Sequence, residues 1–233
     1  TDKPTLVIWG AGKIGRGPIA DIFHAAGWHL VFVRRSTEFV RRMRETGRYT
    51  IIRCEPDHDP QPVIITGFEI YSIDETAALA DAVTRADLII VPTAAPEISV
   101  AACQIADALQ ARRELRPNDV LNILPCANMV NSAVAFVDAL QETVPPEARE
   151  YLASKIGVAE SLIRIGATEP PDNPPEDDPG QVFARYPGSY DVDCDAFKGP
   201  KPDVPGVTWV HDPASQRMRK IWVGNISHAY LAY

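Results

Sequence analysis

The chain has 233 residues, 45% of them hydrophobic, enough to bury the core of one large domain or of one domain and part of a second. Its 31 acidic against 23 basic residues give a formal charge of -8, which excludes nucleic acid and an anionic membrane surface as partners of the chain as a whole. No apolar run is long enough to cross a bilayer and no charged-then-apolar leader precedes the first strand, while Cys54, Cys103, Cys126 and Cys194 form no C-x2-C pair, so the expectation is a reduced, cytoplasmic protein without metal or disulfides.

Residues 5–9 are a short apolar run ending in glycine, as a buried parallel strand would be. Residues 14–26 follow with apolar residues at helical spacing and stop at Gly27. Between them stands Gly10-Ala-Gly12-Lys13-Ile14-Gly15-Arg16-Gly17. Gly10 permits a tight turn, Gly12 lets backbone N–H groups approach a pyrophosphate, and Gly15 lets the helix pack close to the strand. Following a strand and opening a helix, the segment from Gly10 to Arg16, Lys13 and Ile14 included, reads as a dinucleotide-binding loop.

The second strand, residues 30–33, ends where an acidic residue would hold the ribose 2′-hydroxyl of NAD. This chain has Arg34-Arg35-Ser36 there. Two guanidinium forks and a hydroxyl suit a 2′-phosphate, so the cofactor is read as NAD(P), with NADP favoured. The other reading, that these arginines only begin a basic helix, stays open.

A helix over 38–45 ends at Gly47, and strands are expected at 48–54, 63–66 and 69–71. His58 sits between Asp57 and Asp59 in the intervening loop with no second ligand at metal spacing, and is assigned no role. A helix over 76–85 and a strand over 87–91 lead to Thr93 and Ala94, beside the ligand crevice after the carboxyl end of a parallel strand. They either flank a nicotinamide or form an ordinary strand-to-helix turn. A helix over 97–115 and a strand over 120–124 continue the alternation, and Asn128 is placed to cap the next helix. Helix 147–156, a strand over 157–165, a proline-rich acidic loop over 169–180 too polar to pack, and strands at 181–186 and 190–193 complete the sheet region.

In the final helix, 217–233, Lys220, Asn225 and His228 fall within an arc of roughly 140°, with Trp222, Val223, Ile226 and Tyr230 opposite. Ile221 breaks the separation. The chain is thus read as α/β: a Rossmann-like, doubly wound, mainly parallel sheet with added antiparallel strands over 1–208. Residues 209–233 are read as the first element of a C-terminal helical domain.

Lys220-x4-Asn225-x2-His228, the loop G-A-G-x-I-G-R-G and the segment Cys126-Ala127-Asn128-Met129 together resemble the polyol-specific long-chain dehydrogenases, and within them the branch acting on mannitol 1-phosphate. The resemblance implies hydride transfer between NAD(P) and a polyol or ketose, free or phosphorylated. Lys220 would be general base, Asn128 and Asn225 would hold the reacting oxygen, and His228 would orient it. It also implies further helices after residue 233. Ala127 and Ile163 stand where relatives carry carboxylates, which keeps a second reading alive: a non-catalytic protein that binds or senses NADP(H).

Overall fold

The computed structural model describes residues 3–170 and 174–211. The first half is built from β1 (Thr5–Trp9), α1 (Ala20–Ala25), β2 (His29–Arg34), α2 (Thr37–Thr46), β3 (Arg48–Cys54), β4 (Gln61–Thr66), β5 (Glu69–Ser72) and α3 (Thr76–Arg85). The second half adds β6 (Leu88–Val91), α4 (Ile98–Leu115), β7 (Leu121–Pro125), α5 (Ser132–Thr143), α6 (Arg149–Lys155) and β8 (Ile156–Val158). Five short strands follow: β9 (Ser161–Ile163), β10 (Gly166–Thr168), β11 (Val182–Arg185), β12 (Tyr190–Asp193) and β13 (Val207–Val210).

Six strands form one sheet in the order β5-β2-β1-β6-β7-β8, and every pairing in it is parallel. The chain winds outward from β1 to β5, then crosses back and winds outward from β6 to β8. The direction reverses between β1 and β6, which makes their carboxyl ends the crevice where an open α/β sheet binds its ligand.

Because side chains alternate along a strand, each central strand feeds two cores. Val7, Val31, Ile89 and Ile123 pack with Leu79 and Val83 of α3, Ala102 and Ile105 of α4, and Phe136 of α5. Leu6, Ile8, Phe32 and Ile90 pack on the other side with Phe23 of α1, Met43 of α2 and the strands of two smaller sheets. Those sheets are β10-β11-β3-β4, with antiparallel pairings at β3–β4 and β10–β11, and β13-β12-β9. A triangle of edge-on rings ties the sheets together, Phe32, Tyr49 and Phe68 having centroids 5.5 to 6.0 Å apart. Each such pair contributes about 1 kcal/mol beyond the area it buries.

The mainly parallel, doubly wound α/β architecture is as the sequence implies, and several local expectations are corrected. The helix expected over 14–26 is present from Lys13 to Ala25 but is interrupted by a π-helical segment, Gly15–Ile19, kinked at Gly17 with φ -89°, ψ -111°. Pro18 is the cause, since it lacks an N–H and its ring crowds the carbonyl one turn back. The strand expected over 157–165 is two strands: β8 completes the large sheet, and the chain then leaves it for β9, which pairs with β12.

Helix 147–156 is likewise shorter, opening with a 3-10 turn, Pro146–Ala148, and yielding Ile156 to β8. Short strands β10 and β13 were not expected, and β13 runs on to Val210. The acidic stretch over 169–180 does pack at its end. A Cβ on Gly180 would lie 2.6 Å from Tyr49 Cβ, and Asp178 Oδ1 accepts from Thr50 N at 3.2 Å. The missing side chain is what lets this polar segment close on β3.

Candidate functional site

A crevice of about 380 Å³ opens at the carboxyl ends of β1, β2 and β6. Its walls are Trp9 to Gly12 from β1 and the turn after it, Val33 to Ser36 from the end of β2, Pro92 to Ala94 after β6, and Glu97, Val100, Ala101 and Gln104 from the start of α4. Six of the residues read from the sequence as cofactor-binding, Gly10, Gly12, Arg34, Arg35, Thr93 and Ala94, thus line one cavity. Its size is that of a small-molecule site.

The turn owes its shape to glycine at two points. Gly10 has φ +123°, and a Cβ there would meet Thr93 Cγ2 at 3.1 Å. A Cβ on Gly15 would lie 2.5 Å from the Gly10 carbonyl oxygen. Gly12 differs, because a Cβ there meets nothing within 4 Å among the described residues. The described residues therefore do not require glycine at position 12, and the space beside it is open to a ligand. Thr93 Oγ1 is buried on the crevice wall with no hydrogen-bond partner among the described residues. An open cradle at Gly12 and an orphaned hydroxyl at Thr93 both fit a dinucleotide pressed against this turn.

The arginines divide by role. Arg16 is 1% exposed, and its guanidinium donates to Gly180 O at 3.0 Å, Ala11 O at 3.3 Å and Glu169 Oε1 at 2.7 Å. Tyr49 OH donates to the Arg16 carbonyl at 2.6 Å. Arg16 is therefore committed to holding the loop and does not line the crevice, whereas Lys13 stands exposed and Ile14 packs on the core.

Arg34 reaches Ala11 O at 2.5 Å and lies 4.3 Å over the Phe39 ring. Burial pushes its pKa down and the neighbouring charge of Arg16 adds to this, while Glu169 opposes it. A crowded, desolvated cation of this kind gains from an incoming anion. Arg35 is the exposed member, at 69% of its side chain, and its Nη1 lies 3.1 Å from Glu97 Oε2 on the far wall. Ser36 accepts from Phe39 N at 3.3 Å and caps α2.

Asn128 lies on the turn after β7, exposed and outside this cavity's lining, at the same edge of the sheet. The end of β7 is fastened to its neighbour, since Cys126 N and Thr93 N both donate to Val91 O at 3.0 Å. Asn128 does not cap the next helix, because α5 starts at Ser132 with Asn131 at its cap in the left-handed region. The buried Glu160 carboxylate does the capping instead, accepting from Ser132 N at 3.1 Å, Ser132 Oγ at 2.8 Å and Ala133 N at 2.7 Å. Lys220, Asn225 and His228 lie outside the described residues.

Sequence reasoning missed Glu97 and Glu160. Glu97 at a helix start reads as ordinary first-turn charge and Glu160, between β8 and β9, as a loop acid; nothing local reveals that one lines a crevice and the other caps α5. It also missed a grouping of donors: Cys194 Sγ lies 3.2 Å from His211 Nδ1, which is 2.9 Å from Asp195 Oδ1. The parallel register Asp193↔Val210 brings those two loops together across 17 residues, a spacing no local motif shows.

A family model described as the mannitol dehydrogenase Rossmann domain matches residues 4–199. The mannitol-1-phosphate 5-dehydrogenase of Bacillus pumilus (strain SAFR-032) is 27% identical over 226 residues, and that of Bacillus licheniformis 28%; each match takes in 97% of this chain and 58% of the relative. The corresponding enzyme of Alternaria alternata is 27% identical over 230 residues, 97% of this chain and 57% of that one. The chain thus spans 57–58% of the length of the curated relatives it matches.

Among solved structures, octopine dehydrogenase superposes with a TM-score of 0.60 at 13% identity, over 94% of this chain and 46% of that one. The ketopantoate reductase of Ralstonia eutropha JMP134 gives 0.54 at 17%, over 81% and 49%. At those identities the likeness is one of fold. With its family model matching residues 4–199 of 233, the chain belongs to the mannitol dehydrogenase family.

Proposed function

We propose that the chain binds a nicotinamide dinucleotide, NADP(H) in preference to NAD(H), in the crevice above β1 and β6. We further propose that it belongs to an oxidoreductase acting on a polyol or polyol phosphate of the mannitol 1-phosphate and fructose 6-phosphate type. The observation that carries the cofactor reading is the single cavity uniting Gly12, whose Cβ position is open, with Arg34 and Arg35 at the end of β2. Names of the relatives support the substrate class.

On this reading backbone N–H groups of the glycine turn hold the pyrophosphate, and Arg34, Arg35 and Ser36 hold the ribose 2′-phosphate. The cofactor, when bound, supplies the hydride acceptor or donor. In the oxidation direction neutral Lys220 takes the hydroxyl proton, Asn128 and Asn225 donate hydrogen bonds to the developing alkoxide, and His228 orients the oxygen. Lysine suits the task because desolvation and nearby positive charge lower an ammonium pKa readily.

The test is NADPH oxidation with fructose 6-phosphate and with fructose, in the native protein and in Lys220→Met. Loss of about a thousandfold in kcat in the variant with cofactor binding retained supports the assignment. Equal turnover in both removes the lysine from the chemistry. A second reading has one specific support: Ala127 and Ile163 are buried apolar side chains where the family resemblance implies carboxylates. Tight NADPH binding without turnover of any polyol or ketose, in a chain extended to family length, would establish that non-catalytic, cofactor-sensing reading instead.

A further inference from the structure

Arg35 and Glu97 come from opposite walls of the crevice, 62 residues apart in sequence, and join at 3.1 Å across its rim. Arg35 follows β2, where the ribose end of a dinucleotide lies in this fold, and Glu97 stands at the start of α4. The two side chains are 69% and 36% exposed, so water screens the pair and it opens at little cost. Arg34 is held differently, by the Ala11 carbonyl and the Phe39 ring, and among the described residues has no such paired carboxylate.

We propose that Glu97 sets how strongly the chain discriminates between the two nicotinamide dinucleotides, by competing with the ribose 2′-phosphate for Arg35. This rests on the cofactor reading above. A phosphate that engages Arg35 competes with the Glu97 carboxylate for the guanidinium and stands next to it, so Glu97 opposes the phosphorylated dinucleotide twice, once as a rival and once as a like charge. The dinucleotide without that phosphate meets neither penalty. Glu97 thereby holds the preference conferred by the arginines to a modest ratio and lets either form enter.

The experiment titrates NADPH and NADH against the purified chain and its Glu97→Gln, Arg35→Ala and doubly substituted variants, with thermal unfolding to show that each is folded. Glutamine keeps the size and helical conformation of glutamate, so Glu97→Gln removes only the charge. It should tighten NADPH about fivefold, with NADH moving less than about twofold, and the gain should shrink as salt is raised. In the Arg35→Ala background the same substitution should bring under half of that gain, because the rivalry has no prize. An equal shift for both dinucleotides, or a full gain without Arg35, overturns the inference and leaves the cofactor reading standing. Failure of the native chain to bind either dinucleotide overturns both.

Discussion

Arg16 and Glu169, 153 residues apart in the chain, meet at 2.7 Å with the arginine buried and the carboxylate half exposed. That contact fastens the glycine turn to the segment leading into the acidic loop, and Arg16 adds two backbone carbonyls at the same guanidinium. Unequal burial makes the two partners unequal in energy. Arg16→Met takes the side-chain donor from the Gly180 carbonyl, while Ala11 O keeps Arg34, and with the ion pair lost it should cost about 2–4 kcal/mol, whereas Glu169→Gln, in contact with water, should cost under about 1 kcal/mol. Urea unfolding of the two variants measures the difference, and equal losses would contradict it.

The N-terminus of α5 depends on a carboxylate from the loop between β8 and β9. Glu160→Ala should destabilise the chain by about 1–2 kcal/mol, because Ser132 N and Ala133 N lose their acceptor where Ser132 is wholly buried. Amide exchange at Ser132 and Ala133 should accelerate more than at the C-terminal turn of α5. Uniform acceleration along the helix would show that Glu160 acts on packing alone.

Glu69 gives the fold a defined acid limb. Burial by itself raises its carboxyl, but hydrogen bonds from Arg85, Tyr71 and His29 outweigh that and hold it at about 2. The unfolded value is about 4.3, so the folded state binds fewer protons; the stabilisation is complete above about 4.3 and is lost as pH falls toward 2. Glu69→Gln should cost about 1 kcal/mol at pH 7, a screened value for a partly exposed group, and the gap to the native chain should close by pH 2. A gap of constant size across that range would contradict the linkage.

Reversing charge at the end of β2 should reverse cofactor choice. Arg34→Asp puts a carboxylate where NAD-binding relatives of this fold carry one, and removes a cation crowded by burial and by Arg16. NADPH affinity should fall by about tenfold or more while NADH affinity rises. Parallel loss of both would assign Arg34 to holding the Ala11 carbonyl rather than to choosing the cofactor.

The sequence was legible where local geometry forces a residue type. Gly10 at φ +123° and Gly15 against the Gly10 carbonyl admit no side chain, so the turn announces itself, and helices alternating with short apolar strands announce the parallel sheet. Legibility failed where a partner lies far along the chain. Residues 157–165 read as one strand because both halves are apolar, and only the pairings with β7 and β12 split them. Arg16 reads as part of the cofactor-binding loop, and its burial is fixed by Gly180 and Glu169 more than 150 residues away. Asn128 reads as a helix cap because the alternative, Glu160, is invisible locally.

Gly12 tests the central claim most directly, since it is the point where protein and ligand make different demands. NADPH is titrated against the native chain and Gly12→Ala, followed by tryptophan fluorescence with Trp9 in the crevice wall, alongside thermal unfolding of both. The prediction is saturable binding by the native chain, at least about tenfold weaker binding by Gly12→Ala, and unchanged unfolding, because the added Cβ finds open space among the described residues and would occupy what the pyrophosphate needs. Undiminished NADPH affinity in Gly12→Ala, or no binding by the native chain, would contradict it.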